Sequence, residues 1–287
     1  MLSIIVHGGA GKIRNEEAHQ KGTKLAAQEG YKVLKEGGNA LDAVITAVKI
    51  MEDDPTFNAG TGSALNLLGE VEMDASVMLG SGEFGAVGAI KNVRHPVDIA
   101  RKIMEETDHI LLVGEGAGRF ARLFGFETCN PITPEMEKRL QVLKEKGESM
   151  HLKKIRKLLP LYEPGTVGAC ALDRNSEIAV ATSTGGILGK LPGRVGDSAI
   201  IGAGTFASKW GGVSVTGYGE GIMKLGVAWR ITELIMKKKP DEAIGQLIEE
   251  GRKQNTHFGA IGIDKHGNVG FGYNTESMSY AYMCDIG

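Results

Sequence analysis

The chain has 287 residues, 42% hydrophobic and 24% charged, with a net charge of −2. This is ordinary globular composition with ample material for a core, and the near-neutral charge argues against nucleic acid or an anionic membrane surface as a partner. Cys129, Cys170 and Cys284 are far apart and form no CxxC. With no apolar run near the roughly 18 residues of a membrane span and no signal-like start, a reducing, cytoplasmic setting is expected.

Residues 2–6 are an apolar, β-branched run that predicts a buried strand, ending in His7-Gly-Gly-Ala-Gly11. A helix follows over 15–36, where Leu25, Ala26, Val33 and Leu34 share a face and Gly37-Gly38 stops it. Asn39 caps a second helix through Met51, which ends in Glu52-Asp53-Asp54-Pro55. Phe57-Asn-Ala-Gly-Thr-Gly-Ser63 is a loop. Strands over 71–79 and 85–90 pair across a glycine turn at 80–82. Pro96 opens a helix through 106, 109–113 is a short strand and 117–124 a short helix. Beyond the middle of the chain, a hairpin is expected over 166–173 and 177–183, short strands at 199–201 and 212–216, helices over 222–237 and 240–251, and a last hairpin over 258–264 and 268–273. Paired helices between runs of antiparallel strands suit an α+β fold: one domain, a four-layer αββα sandwich.

From 130 to 163 the composition shifts. Pro131 and Pro134 precede a charged helix over 135–147, and His151-Leu-Lys-Lys-Ile-Arg-Lys157 follows. The stretch reads as a mobile connector of 130–165, with a solvated helical insertion as the alternative. It runs into Glu163-Pro-Gly-Thr-Val-Gly-Ala-Cys170. Pro-Gly-Thr before a strand is commonly a plain turn. The functional reading is a precursor cut between Gly165 and Thr166, giving an α subunit of 1–165 and a β subunit of 166–287. Thr166 would then carry both a hydroxyl nucleophile and its own base, an α-amine with a pKa of about 7.7–8.0.

Threonines recur beside glycines at strand ends: Thr166, Thr184 and Thr216. Each alone is explained by β propensity. Together they offer a nucleophile, a hydroxyl partner and, with the Gly217 N–H, donors for an oxyanion. Arg194 and Asp197 lie three apart in a glycine-rich loop. They are either a surface ion pair or a clamp for the carboxylate and amine of an amino acid. Gly114-Glu-Gly-Ala-Gly118 lacks the sixth-position glycine and the later acidic residue of a dinucleotide fingerprint. His7-Gly8-Gly9 has no GxSxG elbow to accompany it, and the seven histidines show no zinc spacing.

Read together, His7-Gly-Gly-Ala10, Gly38-Asn-Ala-Leu-Asp-Ala43, Phe57-Asn-Ala-Gly60, Met73-Asp-Ala-Ser76, Gly165-Thr-Val-Gly-Ala169, Ala181-Thr-Ser-Thr-Gly-Gly186, Pro192-Gly-Arg-Val-Gly-Asp197 and Thr216-Gly-Tyr-Gly-Glu220 occur in order across nearly the whole chain. In these motifs the chain resembles the plant-type L-asparaginases/isoaspartyl peptidases, N-terminal nucleophile hydrolases related to glycosylasparaginase. The resemblance implies the αββα fold, self-cleavage before Thr166 and a dimer of αβ heterodimers. It implies hydrolysis of L-asparagine and β-aspartyl dipeptides, with Thr166 as nucleophile, Thr184 bonded to it, and Thr216 and Gly217 as oxyanion donors. Arg194, Asp197, Gly217 and Gly219 would bind substrate, and Asn58 would support the amine. No cofactor is required. Backbone oxygens of Met51, Glu52, Asp54, Phe57, Ala59 and Thr61 would hold a structural sodium.

Thr205-Phe-Ala207 and Ser208-Lys-Trp-Gly-Gly212 form a loop matching neither subgroup, which leaves substrate preference open. The rivals are a glycosylasparaginase, a threonine endopeptidase and a non-catalytic relative that binds amino acids.

Overall fold

The computed structural model describes residues 1–145 and 165–285. The first half holds β1 (Ser3–Gly11), α1 (Glu16–Lys35), α2 (Ala40–Asp53), β2 (Met73–Leu79), β3 (Phe84–Ile90), α3 (Pro96–Glu106), β4 (Leu111–Val113), α4 (Gly114–Leu123) and α5 (Pro134–Glu145). The second half holds β5 (Val167–Leu172), β6 (Ile178–Thr184), a 3-10 turn at Asp197–Ala199, β7 (Thr205–Ser208), β8 (Gly211–Gly217), α6 (Gly219–Leu225), α7 (Val227–Ile235), α8 (Pro240–Lys253), β9 (Phe258–Asp264), β10 (Val269–Tyr273) and β11 (Ser277–Cys284).

Local chemistry sets the boundaries. Asn15 and Asn39 cap α1 and α2, their side-chain oxygens accepting from Ala18 and Asp42 N–H at 3.1 and 2.7 Å. Pro96, Pro134 and Pro240 each begin a helix, where the missing N–H is no loss. The helix expected over 222–237 is two helices, because Gly226 at φ +59° takes the left-handed turn that ends α6. The strand expected at 199–201 does not form: Ala199 ends the 3-10 turn, and Ile201 contributes one bridge to Thr205. The loop expected at 205–212 is the hairpin of β7 and β8, and β11 is a strand the sequence reading did not contain.

The strands form a seven-stranded sheet, β11-β1-β5-β6-β2-β3-β4, and a four-stranded sheet, β10-β9-β8-β7. Helices α1, α2 and α3 pack on the larger sheet, while α7 and α8 pack on the smaller. The sheets meet through contacts of β1, β5, β6 and β2 with β7, β8 and β9. Ile5, Cys170, Ile178, Val180, Ile261 and Ile263 belong to the core between them. The front of the expected connector is docked: Met136, Leu140 and Leu143 of α5 are buried in the core under the larger sheet. The rest of that connector, 146–164, lies outside the described residues. Among the described residues no helix is long and apolar enough to cross a membrane.

Candidate active site

The hairpin β5–β6 brings the first two candidate residues together. Val167 pairs with Ser183, so the residues just beyond that pair, Thr166 and Thr184, meet at the strand ends. Their hydroxyl oxygens are 3.0 Å apart. The residues are only 6% and 3% exposed, so water competes little for that contact. Thr184 Oγ1 also accepts the Gly186 N–H at 3.0 Å, which fixes its position.

Asn58 holds the other side of the junction. Its backbone N–H donates to the Gly165 carbonyl at 2.9 Å, and its own carbonyl accepts from Gly185 N–H at 2.8 Å. Its side-chain amide donates to Gly186 O at 2.6 Å and accepts from Ala64 N–H at 2.7 Å. The side chain is therefore committed to bracing the 185–186 loop, and the backbone N–H is the group that faces the expected cleavage point. Glycine is required at 165 by close approach, since a Cβ there would fall 2.5 Å from the Asn58 nitrogen.

Thr216 comes from the second sheet, where β8 packs on β5 and β6. Its Oγ1 is buried and has no hydrogen-bond partner among the described residues. Gly217 follows at φ +145°, against His257 O and Phe258, where a side chain would collide. A buried chain of hydroxyls braces this strand. His7 Nε2 lies 2.9 Å from Ser214 Oγ, which is 2.7 Å from Thr182 Oγ1; Thr205 donates to Thr182 at 2.6 Å, and Ser76 bonds Thr205 at 2.7 Å. Burial holds the His7 imidazole down to about 3, and the nearby Thr166 backbone only partly offsets it, so the ring is neutral.

A charged cluster adjoins these residues, with Arg194 Nη1 lying against Gly186. The Arg194 guanidinium pairs with Glu220 Oε1 through Nε at 3.2 Å and Nη2 at 3.1 Å. Asp197 is 6% exposed, and burial lifts its carboxyl to about 7 despite the opposing charge of Arg194. A Cβ on Gly219 would stand 2.7 Å from both Arg194 Nη2 and Asp197 Oδ1, so the glycine allows the two ions to converge. The loop that carries Arg194 is tied down by residues the sequence reading did not single out. Asp74 accepts from Gly196 and Ala89 N–H, both at 2.8 Å, and Glu72 accepts from Gly193 N–H at 2.9 Å. Buried Lys190 donates to the Glu72 carbonyl, and burial pushes its pKa down. Asp74 and Glu220 stood inside quoted motifs, and a lone lysine beside Arg194 in a glycine-rich loop was a signal available for Lys190.

Behind Thr184, the Glu52 carboxylate accepts from Ser183 Oγ at 2.6 Å and lies 3.0 Å from His95 Nδ1, joining α2, β6 and α3. Burial raises its pKa, and His95 draws it back. The backbone carbonyl of Glu52 accepts Thr61 N–H at 2.7 Å, and that of Asp54 accepts Phe57 N–H at 3.0 Å. Met51 and Glu52 in the last turn of α2, and Asp54, Phe57, Ala59 and Thr61 in the loop after it, thus lie on one segment that folds back on the helix end. Carbonyl oxygens keep a second lone pair after one such bond and suit a hard cation. Among the described residues no cluster of His, Cys, Asp and Glu could hold a metal ion.

The asparaginase family model matches residues 1–286. The chain is 48% identical to the plant-type L-asparaginase of Pyrococcus abyssi over 297 residues, covering 99% of this chain and 96% of that protein. It is 48% identical to the plant-type L-asparaginase of Thermococcus kodakarensis, over 99% of this chain and 97% of the relative. It is 41% identical to the isoaspartyl peptidase/L-asparaginase of Danio rerio, over 97% of this chain and 91% of the relative.

Proposed function

We propose that this chain, which belongs to the asparaginase family, hydrolyses the side-chain amide of L-asparagine and the isopeptide bond of β-aspartyl dipeptides. The observation that carries the reading is the buried 3.0 Å contact of the Thr166 and Thr184 hydroxyls, next to a Gly165 carbonyl held by Asn58. The similarity to proteins named plant-type L-asparaginase and isoaspartyl peptidase/L-asparaginase supports the choice of substrate.

In this reading the precursor cleaves itself between Gly165 and Thr166, and the freed α-amine of Thr166 serves as base. Thr166 Oγ attacks the amide carbonyl of the aspartyl side chain, and the amine takes its proton. Thr184 orients the nucleophile through the shared hydrogen bond. The Thr216 hydroxyl, buried without another partner among the described residues, and the Gly217 N–H stabilise the oxyanion. The proton passes to the leaving group as ammonia or an amine departs. Water then attacks the β-aspartyl ester and releases aspartate, restoring the threonine. Arg194 takes the α-carboxylate, and Asp197 with Gly219 takes the α-ammonium. Asn58 acts as a positioning residue for both the loop and the scissile carbonyl.

The same reading gives the architecture as the four-layer αββα sandwich of N-terminal nucleophile hydrolases, supported by helices packed on each of two touching sheets. It describes a cytoplasmic dimer of αβ heterodimers that needs no organic cofactor. A structural sodium on the carbonyls of Met51, Glu52, Asp54, Phe57, Ala59 and Thr61 would stiffen the loop that carries Asn58. Ammonia release from L-asparagine and aspartate release from β-aspartyl dipeptides test the activity. Turnover of glycoasparagine or casein instead would move the chain to one of its rivals.

A further inference from the structure

Glu220 binds Arg194 in an unusual way. A carboxylate facing a guanidinium commonly spreads its two oxygens over two N–H groups. Here one oxygen, Oε1, takes both Nε and Nη2. The other, Oε2, is buried and has no hydrogen-bond partner among the described residues. Asp197 repeats the pattern, since its Oδ2 is also buried without a partner among the described residues. Both carboxylates gather about Gly219: Asp197 Oδ1 and Arg194 Nη2 each lie 2.7 Å from where its Cβ would be, and that Nη2 is 3.1 Å from Glu220 Oε1. Buried acceptors with nothing to accept are costly, and two neighbouring carboxylates repel. That repulsion is one reason, after burial itself, that the Asp197 carboxyl is raised. One cation with several N–H donors would relieve both conditions. The Nη1 end of Arg194, by contrast, lies against Gly196 and Gly186, on the Thr184 side of the loop.

We propose that Glu220 is a second acidic contact for the substrate's α-ammonium group, with Glu220 Oε2 and Asp197 Oδ2 accepting from it together. Glu220 Oε1 meanwhile holds Arg194 so that its Nη1 end meets the α-carboxylate. This rests on the reading of the pocket as one for aspartyl amides, and adds that a free α-amine is recognised by two carboxylates.

The test compares wild type with Glu220→Gln, using L-asparagine as substrate and succinate, which lacks the amine, as competitive inhibitor. The expected result is a KM for L-asparagine raised about 10- to 100-fold, the range of a charge-assisted hydrogen bond. The kcat should stay within a few-fold, and the Ki of succinate should change far less than the KM of asparagine, because the glutamine oxygen can still accept from Arg194. An unchanged KM would overturn the proposal. So would equal weakening of asparagine and succinate, because Glu220 would then act through Arg194 alone. Should Glu220→Gln fail to fold or to cleave itself, judged by melting temperature and intact mass, Glu220→Asp carries the same comparison, with a smaller loss expected on asparagine only. A wild type that releases no ammonia from asparagine would overturn the functional reading, and this inference with it.

Discussion

Replacing Gly165 by alanine probes the geometry of the cleavage point without touching the nucleophile. The new methyl would sit 2.5 Å from the Asn58 backbone nitrogen and 2.9 Å from its Cα. Heavy atoms in contact need roughly 3.5 Å, so the two segments must part by about 1 Å. The Asn58 N–H to Gly165 O distance of 2.9 Å would then stretch to roughly 3.9 Å, beyond hydrogen-bond reach. In the proposed self-cleavage that carbonyl oxygen gains negative charge as Thr166 attacks it. Losing one donor to such an oxygen slows the step by about 10²–10³-fold. The overpacking itself costs about 1–3 kcal/mol of stability. Gly165→Ala should therefore fold, melt at a lower temperature and accumulate uncleaved precursor, followed by intact mass over time. Cleavage at the wild-type rate in a folded variant would refute the role given to Asn58.

Three further predictions follow from the same geometry. Thr184→Val removes the acceptor of Gly186 N–H and the partner of Thr166, so kcat should fall by about 10²-fold or more, while Thr184→Ser, which keeps both bonds, stays within a few-fold; equal activities would contradict the contact. Asp197 stands near 7, and an ammonium binds its ionised form, so below pH 7 aspartate affinity should fall up to tenfold per pH unit and binding at pH 6 should release a proton. Calorimetry in buffers of different ionisation enthalpy reads that proton, and no release would count against the clamp. Burial holds His7 at about 3 against 6.5 in the unfolded chain. Between those values the unfolded state binds the extra proton, so the contribution is present above pH 6.5 and is lost as the pH falls. The loss is roughly 3 kcal/mol by pH 4. Urea unfolding at pH 7 and pH 4 should show a flatter pH dependence for His7→Gln than for wild type; identical slopes would sink the assignment.

The sequence carried the site because its residues sit at strand ends marked by glycine. Thr166, Thr184 and Thr216 announce themselves this way, and the β5–β6 hairpin, turned at Asp173–Ser176, puts the first two side by side. Asn58 was named through its motif, yet the group it turns to Gly165 is a backbone N–H, which no side-chain pattern encodes. Glu72 stayed hidden, and the role of Asp74 went unread inside its motif, for a similar reason. Each anchors backbone N–H groups of a loop more than a hundred residues away, at Gly196 and Gly193, so no local spacing betrays them. The strand β11 pairs with the edge of β1 and leaves Tyr282 49% exposed, which blurs the alternation that reveals a half-buried strand. Apolar periodicity ran unbroken through 222–237, and only the left-handed Gly226 divides it.

The central claim is that Thr166 becomes an N-terminal nucleophile. Intact mass under denaturing conditions, on fresh and aged protein beside Thr166→Ala, tests it most directly. The account predicts two fragments, 1–165 and 166–287, from the wild type only, accompanied by ammonia release from asparagine. A single stable mass from active wild type would show that the hydroxyl works without a freed amine, and would contradict the account.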